Sequence, residues 1–496
     1  MAKAQVAVYI QQAYDRQTYS DESFGVRQFA GVHVVADALR QAGIEVDFCD
    51  ISRVSEYRVI LVPIVSCCDW FSFIAERVRW QGFNGVIVVG GAGVMNIRPF
   101  RPYFDYAVLG RGEVVAVEVV GTILAGGRPA GPSVIDSERF DPDEPKVMAQ
   151  AVEVYPREIE MQWCSRQGLR LATWKESQIG CPYGCAFCGY TNHRKYTGGE
   201  FNVAGEDGKD GGFAHSNMGE MTLMQTRNTT PEEWFQKGNL LIGLDGFSER
   251  LRFMANKPIS DALLRRFLAG AVSLPNSYKL RMFNVVGLPT ETREDWFEFL
   301  AAIKDVDAAA DPGPLWYIDL HSTPFRPLPG TPGAGWQAAY EEFRGEIKGT
   351  LGPDVPHRYR FFQGRRIVVV ETFSTESLAR GIIEAVCHRG TEAHQEVARS
   401  IALDRRFASA GAPLKRKMLE AAIDTRALFQ EFSYEEMPTR YLRGWRPERV
   451  VKSIADRPHL VKYSQAGWSS PGGGRTLSLP PPAAHPAATA ASPKTS

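Results

Sequence analysis

Short apolar runs alternate with amphipathic stretches along most of the chain, and that alternation constrains the fold more than any other feature. Residues 5–10 predict a strand, and residues 25–42 a helix with Val26, Phe29, Val32, Val35 and Leu39 on one face. Strands are expected at residues 44–48, 59–65 and 85–89, with a helical stretch at 71–80 between the last two, and again at 106–109. Strands and helices of these lengths in turn predict a doubly wound, mostly parallel α/β sheet over residues 1–130. Two of the strands end in glycine. One runs into Gly90-Gly91-Ala92-Gly93, the other into Gly110-Arg111-Gly112-Glu113. Glycine at a strand's C-terminus lets the backbone approach a ligand, at the edge where open α/β sheets bind one. Gly90, Gly91 and Gly110 are therefore candidate binding positions.

Residues 127–160 are rich in Pro, Gly, Asp and Glu and read as a linker, which we bound at 131–160. A second α/β pattern follows, with strands expected at 176–180, 220–225, 240–244, 279–286 and 316–321. Helices are expected at 231–236, 260–271 and 293–306. The first of them opens on Thr230-Pro231-Glu232-Glu233, a capping hydroxyl, a proline and two acids. Residues 191–217 are polar and Gly-rich, and read as a long loop. Beyond 356 one strand is expected at 366–371, then helical patterning to 456, giving a mostly helical domain over 336–460. The Pro-, Ala-, Gly- and Ser-rich end, within residues 461–496, predicts a disordered tail.

The chain has eight cysteines among 496 residues, and three of them crowd into Gly180-Cys181-Pro182-Tyr183-Gly184-Cys185-Ala186-Phe187-Cys188. Met1-Ala-Lys-Ala-Gln leads straight into the first strand, so no export signal is expected. No apolar run approaches the roughly 20 residues a membrane span needs. Clustered cysteines in that setting predict a metal or redox site in a reducing, cytoplasmic compartment. Lys plus Arg and Asp plus Glu are 57 each, which gives no global field toward nucleic acid or anionic membrane. Three thiolates spaced C-x3-C-x2-C on one tight loop can hold three irons of a [4Fe–4S] cluster and leave the fourth iron open to a small molecule. A Cys3His zinc knuckle with His193 is the competing reading.

The C-x3-C-x-aromatic-C pattern after a short strand resembles the signature of the radical S-adenosylmethionine (SAM) superfamily. Three later segments are similar to segments of that family: Gly243-Leu244-Asp245-Gly246-Phe247-Ser248-Glu249-Arg250-Leu251, Asn284-Val285-Val286-Gly287-Leu288-Pro289-Thr290-Glu291-Thr292, and Thr323-Pro324-Phe325-Arg326-Pro327. The similarity spans residues 161–335. It implies a partial or complete (β/α)6 barrel with Cys181, Cys185 and Cys188 on the cluster. SAM would lie near Phe187, Asp245, Ser248, Gly287 and Glu291, and be cleaved by one electron to methionine and a 5′-deoxyadenosyl radical. It also implies an electron donor such as flavodoxin or ferredoxin, and a small-molecule or peptide substrate that no motif names. The stretch between Cys188 and Gly243 is short for this family. Gly198-Gly199-Glu200 matches its SAM-amino motif in letters, and equally a loop triplet.

The glycine-ended strands of the first domain resemble the cobalamin-binding domain that precedes many radical SAM barrels. There the glycine turns border the corrin and its tail, and a His after the first strand ligates cobalt. Here Gln11-Gln12-Ala13-Tyr14-Asp15 has no His, so cobalamin is bound without that ligand or not bound. If it is bound, methyl transfer is the expected outcome. The methylthiotransferase arrangement, with a second cluster on Cys49, Cys67 and Cys68, is an alternative. A catalytically silent iron–sulfur protein is another. Cys164 and Cys387 read as small buried side chains, and His215 as a loop residue.

Overall fold

A computed structural model describes residues 4–11, 22–141, 144, 146–165, 168–176, 178–180, 185–189, 197–198, 213–214, 239–257, 259–275, 279–288, 291–325, 328, 331, 358–373, 383–384, 386–387, 390–404, 406–407, 414, 417–418, 421 and 460–461. The expected strand at 220–225, the expected helix at 231–236, Cys181, His193, His215 and the 469–496 tail lie outside the described residues.

The first sheet holds β1 (Val6–Tyr9), β2 (Val46–Cys49), β3 (Val59–Pro63), β4 (Val86–Gly90), β5 (Tyr106–Val108) and β6 (Val134–Asp136), in the order β2-β1-β3-β4-β5-β6. The first five are parallel, and β6 is antiparallel on the edge. The strands are apolar on both faces because helices cover both. One face (Val6, Val8, Val59, Leu61, Val88) packs against α1 (Glu22–Gln41) and α3 (Gly112–Leu124). The other (Ala7, Tyr9, Ile60, Val62, Val89) packs against α2 (Cys67–Arg77) through Trp70, Phe73 and Ile74. The helix expected at 71–80 begins four residues earlier. Ser66 and Asp69 form a capping box there, which places Cys67 and Cys68 in the first turn.

The described residues of the 127–160 stretch pack against this domain. It supplies β6 and β7 (Lys146–Val147), and Ala149 bridges Gly110 in parallel. A hairpin of β8 (Ile159–Ser165) and β9 (Gly168–Trp174) follows, with Ile159 and Tyr155 packed on Ala30 and Val34 of α1. The hairpin leads to β10 (Gln178–Ile179), which pairs antiparallel with β11 (Thr197–Gly198) inside the expected loop.

The second sheet holds β12 (Phe213–Ala214), β13 (Asn239–Gly243), β14 (Lys279–Val286), β15 (Trp316–Pro324), β16 (Arg358–Gln363) and β17 (Ile367–Phe373), in the order β12-β13-β14-β15-β17-β16. All are parallel except β16. The strand expected at 366–371 is thus part of this sheet, which continues past residue 335. Its outer face (Ile242, Leu280, Met282, Ile318, Leu320, Val369) is covered by α5 (Asp261–Val272) and α6 (Arg293–Ala309). These helices start at the hydroxyl caps Ser260 and Thr292. Of the expected helical C-terminal region, the described residues give one helix, α7 (Glu392–Leu403). It lies on α2 of the first domain, with the rings of Phe407 and Phe71 5.1 Å apart.

Candidate active site at the ends of the second sheet

The segments that resemble one family along the chain meet in one place. Ala186 and Phe187 of the cysteine loop pack with Leu251 and Ala255, Val285 and Leu288, and Phe325, in a small apolar cluster of their own. These come from the loop, from α4 (Glu249–Met254) and its C-terminus, from the end of β14, and from the residue after β15. The cluster therefore sits at the C-terminal ends of β13, β14 and β15. Val285 reaches it from the face of β14 opposite Met282 and Val286, which face the helices, because successive strand side chains alternate. Cys185 is buried and Cys188 half-buried, joined by a turn in which the Cys188 amide donates to the Cys185 carbonyl at 3.0 Å. The Ala186 amide donates to the Ala255 carbonyl at 2.9 Å, which fixes the loop to the end of α4.

Polar contacts stitch the neighbouring turns together. The Gly246 amide donates to Asn284 Oδ1 at 2.8 Å, and both Ser248 and Arg250 donate to Asp295. Asp295 also accepts from the Thr292 amide at 2.8 Å in the capping box of α6. Fully buried Arg252 holds the same turn by donating to the carbonyls of Ile259, Gly246 and Phe247 and to Asp261. Burial pushes its pKa down, and Asp261 opposes that shift. Gly287 takes φ +76°, a conformation glycine adopts freely, and its amide and that of Leu288 donate to Glu291 Oε2 at 2.6 and 3.0 Å. Glu291 therefore clasps the turn, and Ser248, wholly buried, caps α4 at Leu251.

Asp245 is different. It stands just past the end of β13 at φ +55°, rare for a residue with a side chain, and takes an ion pair from Lys257. A Cβ on Gly243 would lie 2.7 Å from the Lys257 ammonium and 3.0 Å from Asp245. The pair thus overhangs Gly243, on the face that also carries Val285. Lys257 has no family motif to mark it. Only its 12-residue spacing from Asp245, across one short helix, hints at the contact.

The donor set fits an iron–sulfur cluster. Two thiols stand three residues apart on a turn anchored by backbone hydrogen bonds, and Cys181 lies outside the described residues. Among the described residues no three of His, Cys, Asp and Glu form a metal-holding group, and Cys49, Cys67 and Cys68 make none. Burial raises the Cys49 thiol to about 12 and those of Cys67 and Cys387 well above the usual range. Both Cys67 and Cys387 are core residues where α2 meets the C-terminal region.

In the first sheet the glycines divide. A Cβ on Gly91 (φ +111°) or on Gly93 would lie 2.6 Å from a backbone oxygen, of Ile64 and Ser66 respectively, and one on Gly110 would collide with Ala149. These glycines admit the chain's own backbone. Gly90 alone of the three candidates faces open space. Close by in the sheet, Gln11 follows β1, is wholly buried, and donates to the Pro63 carbonyl at the end of β3 at 3.0 Å. Pro63 is in turn in register with Gly90. No helix of the described residues is long and apolar enough to cross a membrane.

No protein-family model matches the chain, and no curated protein is similar to it in sequence. Among solved structures it is similar to the cobalamin-dependent S-adenosylmethionine radical enzyme OxsB with aqua-cobalamin and S-adenosylmethionine bound. That match has 10% identity and a TM-score of 0.34, over 84% of this chain and 70% of that one. The same enzyme with aqua-cobalamin bound matches at 10% identity and a TM-score of 0.23, over 86% and 56%. Its apo, selenomethionine-labelled form matches at 11% and 0.26, over 87% and 56%. At these values the likeness bears on neither substrate nor reaction.

Proposed function

We propose that this chain is a radical SAM enzyme. One observation carries the reading: the cysteine loop, the Gly243–Leu251 turn, the Gly287 turn and Phe325 converge at the C-terminal ends of three parallel strands. That is the edge where parallel α/β folds place chemistry. We read the parallel sheet as part of a (β/α)6 barrel. When bound, a [4Fe–4S] cluster would supply one electron to the SAM sulfonium. The chain's own part is to hold and shield. Cys181, Cys185 and Cys188 ligate, the backbone at Phe187 borders the adenine, and Asp245 with Lys257 lines the SAM side. Val285, Leu288 and Phe325 keep water from beneath the loop. Flavodoxin or ferredoxin fits as the reductant, in the cytoplasm.

A second reading adds cobalamin at the first sheet and makes the enzyme a methyltransferase. The order β2-β1-β3-β4-β5 puts a binding crevice at the β1/β3 switch point, where open-faced Gly90 and buried Gln11 sit beside Pro63. Cobalamin would supply a methyl carrier there.

Anaerobic reconstitution with iron and sulfide, then SAM and dithionite, tests both readings. The expected protein is brown, loses that colour in Cys185→Ser, and releases 5′-deoxyadenosine or S-adenosylhomocysteine. A colourless zinc protein overturns the proposal. A cluster that yields neither product leaves a silent iron–sulfur protein. An added corrinoid spectrum that stays that of free cobalamin removes the second reading.

A further inference from the structure

The face of the second sheet that carries Val285 also carries charged and aromatic side chains. Arg281 is in register with Asp319 on the neighbouring strand, and Phe283 with His321, so the four project from one face. It is the face of Val285. Asp319 is nine-tenths buried and accepts from Arg281 Nε and Nη2 at 3.3 and 3.2 Å, and His321 Nε2 stands 3.3 Å from the same oxygen. The Phe283 and His321 rings lie 5.7 Å apart. Phe283 and Tyr317 are 41% and 44% exposed, high for large rings on interior strands of a sheet.

The Asp319 side chain is 4% exposed and those of Arg281 and His321 are 26% and 30%, so what this face presents beside Phe283 is a guanidinium and an imidazole, each against the same carboxylate oxygen. An oriented, partly desolvated arginine is suited to carboxylate or phosphate. Along β14, Val285, Phe283 and Arg281 descend from the loop in steps of about 6.7 Å. We propose that this strip binds the substrate, and that the substrate is an anion carried on a planar ring. The carboxylate or phosphate meets Arg281 and His321, the ring lies on Phe283, and the reacting carbon points up toward the cysteine loop. This rests on reading the face as the reaction cavity.

The test uses this whole 496-residue chain without cluster or SAM, so its outcome is separate from that of the cleavage assay. Diethyl pyrocarbonate modification of His321 is followed by peptide mass spectrometry, with phenyl phosphate, phenylacetate or neutral benzyl alcohol as probe. At a probe concentration ten times its Kd, mass action leaves about a tenth of the sites open, so modification should slow about tenfold. Phenyl phosphate or phenylacetate should protect and benzyl alcohol should not; which anion protects better identifies the group. Arg281→Gln should abolish protection. Arg281→Gln/Asp319→Asn, which leaves no unpaired buried carboxylate, should do the same if the single variant fails to fold. Protection by neither anion, or protection that survives loss of Arg281, overturns the proposal.

Discussion

The guanidinium of Arg111 grips the carboxylate of Glu176 through two hydrogen bonds of 2.7 Å, across 65 residues of chain. Both side chains are about nine-tenths buried. Arg111 follows β5 of the first sheet, and Glu176 lies five residues before Cys181, so the pair ties the first domain to the approach of the cysteine loop. Burial disfavours the Arg111 charge, but its bonds to Glu176 and Glu113 outweigh that and hold its pKa above the usual value. Breaking a buried pair from one side strands the other charge, at a cost of about 3–5 kcal/mol. Arg111→Gln should lower stability by that order in urea denaturation. Glu113 is paired to Arg111 as well and nearly as buried, so adding both Glu113→Gln and Glu176→Gln, which leaves neither carboxylate stranded, should restore most of it. A triple variant no better than the single would show that these pairs are not the joint.

Gly90 and Gly91 are neighbours with opposite demands. Gly91 combines φ +111° with a Cβ position 2.6 Å from the Ile64 oxygen, whereas Gly90 faces open space. Gly91→Ala should destabilise by about 2 kcal/mol or more, through strain and collision with backbone. Gly90→Ala should stay within about 0.5 kcal/mol of the parent. If a corrinoid sits at this edge, Gly90→Ala should nevertheless weaken its binding in a spectral titration.

Glycines at strand ends were legible as close-approach points, but not what approaches. At Gly110 it is Ala149, contributed by a stretch whose composition reads as linker. The family-like turns were legible because their letters are local. The role of Ser248 was not, since it depends on a partner turn 47 residues on, where it donates to Asp295; the clasp of Glu291 is local, on amides three and four residues before it. Arg281, Asp319 and His321 were hidden for a different reason. Their register joins strands 38 residues apart, and no periodicity within either strand reports it. The membership of β17 in the second sheet was hidden in the same way, because parallel pairing leaves no local signal.

His33 gives the first domain an acid-side weakness. It is buried in α1 against Phe48, with ring centroids 4.9 Å apart, and burial, helped by Arg40, lowers its pKa from 6.5 to about 4. The unfolded chain therefore binds a proton that the folded chain refuses between those values, and stability rises with pH through that window. The contribution is complete above about pH 6.5 and is lost as pH falls toward 4, by about 3 kcal/mol. Thermal melts from pH 7 to pH 4 should show a steeper fall for the parent than for His33→Gln. Equal slopes would assign the acid sensitivity elsewhere.

Gly243 separates the fold from the chemistry. An alanine methyl there would press on the Lys257 ammonium at 2.7 Å and on Asp245 at 3.0 Å, both of them side-chain ends. The lysine can swing aside, so Gly243→Ala should cost less than about 1 kcal/mol of stability. The Lys257–Asp245 pair cannot keep its geometry, and if it lines the SAM side the variant should lose about 1.4 kcal/mol of transition-state stabilisation, or tenfold in kcat/KM for SAM cleavage. Gly246→Ala makes the contrast. Its methyl meets the Arg252 backbone nitrogen at 3.0 Å and the Leu251 carbonyl carbon at 3.2 Å, and those cannot swing. That variant should lose stability first, read as a lower melting temperature. A Gly243→Ala protein as active as the parent would show that the Asp245–Lys257 pair only closes the turn.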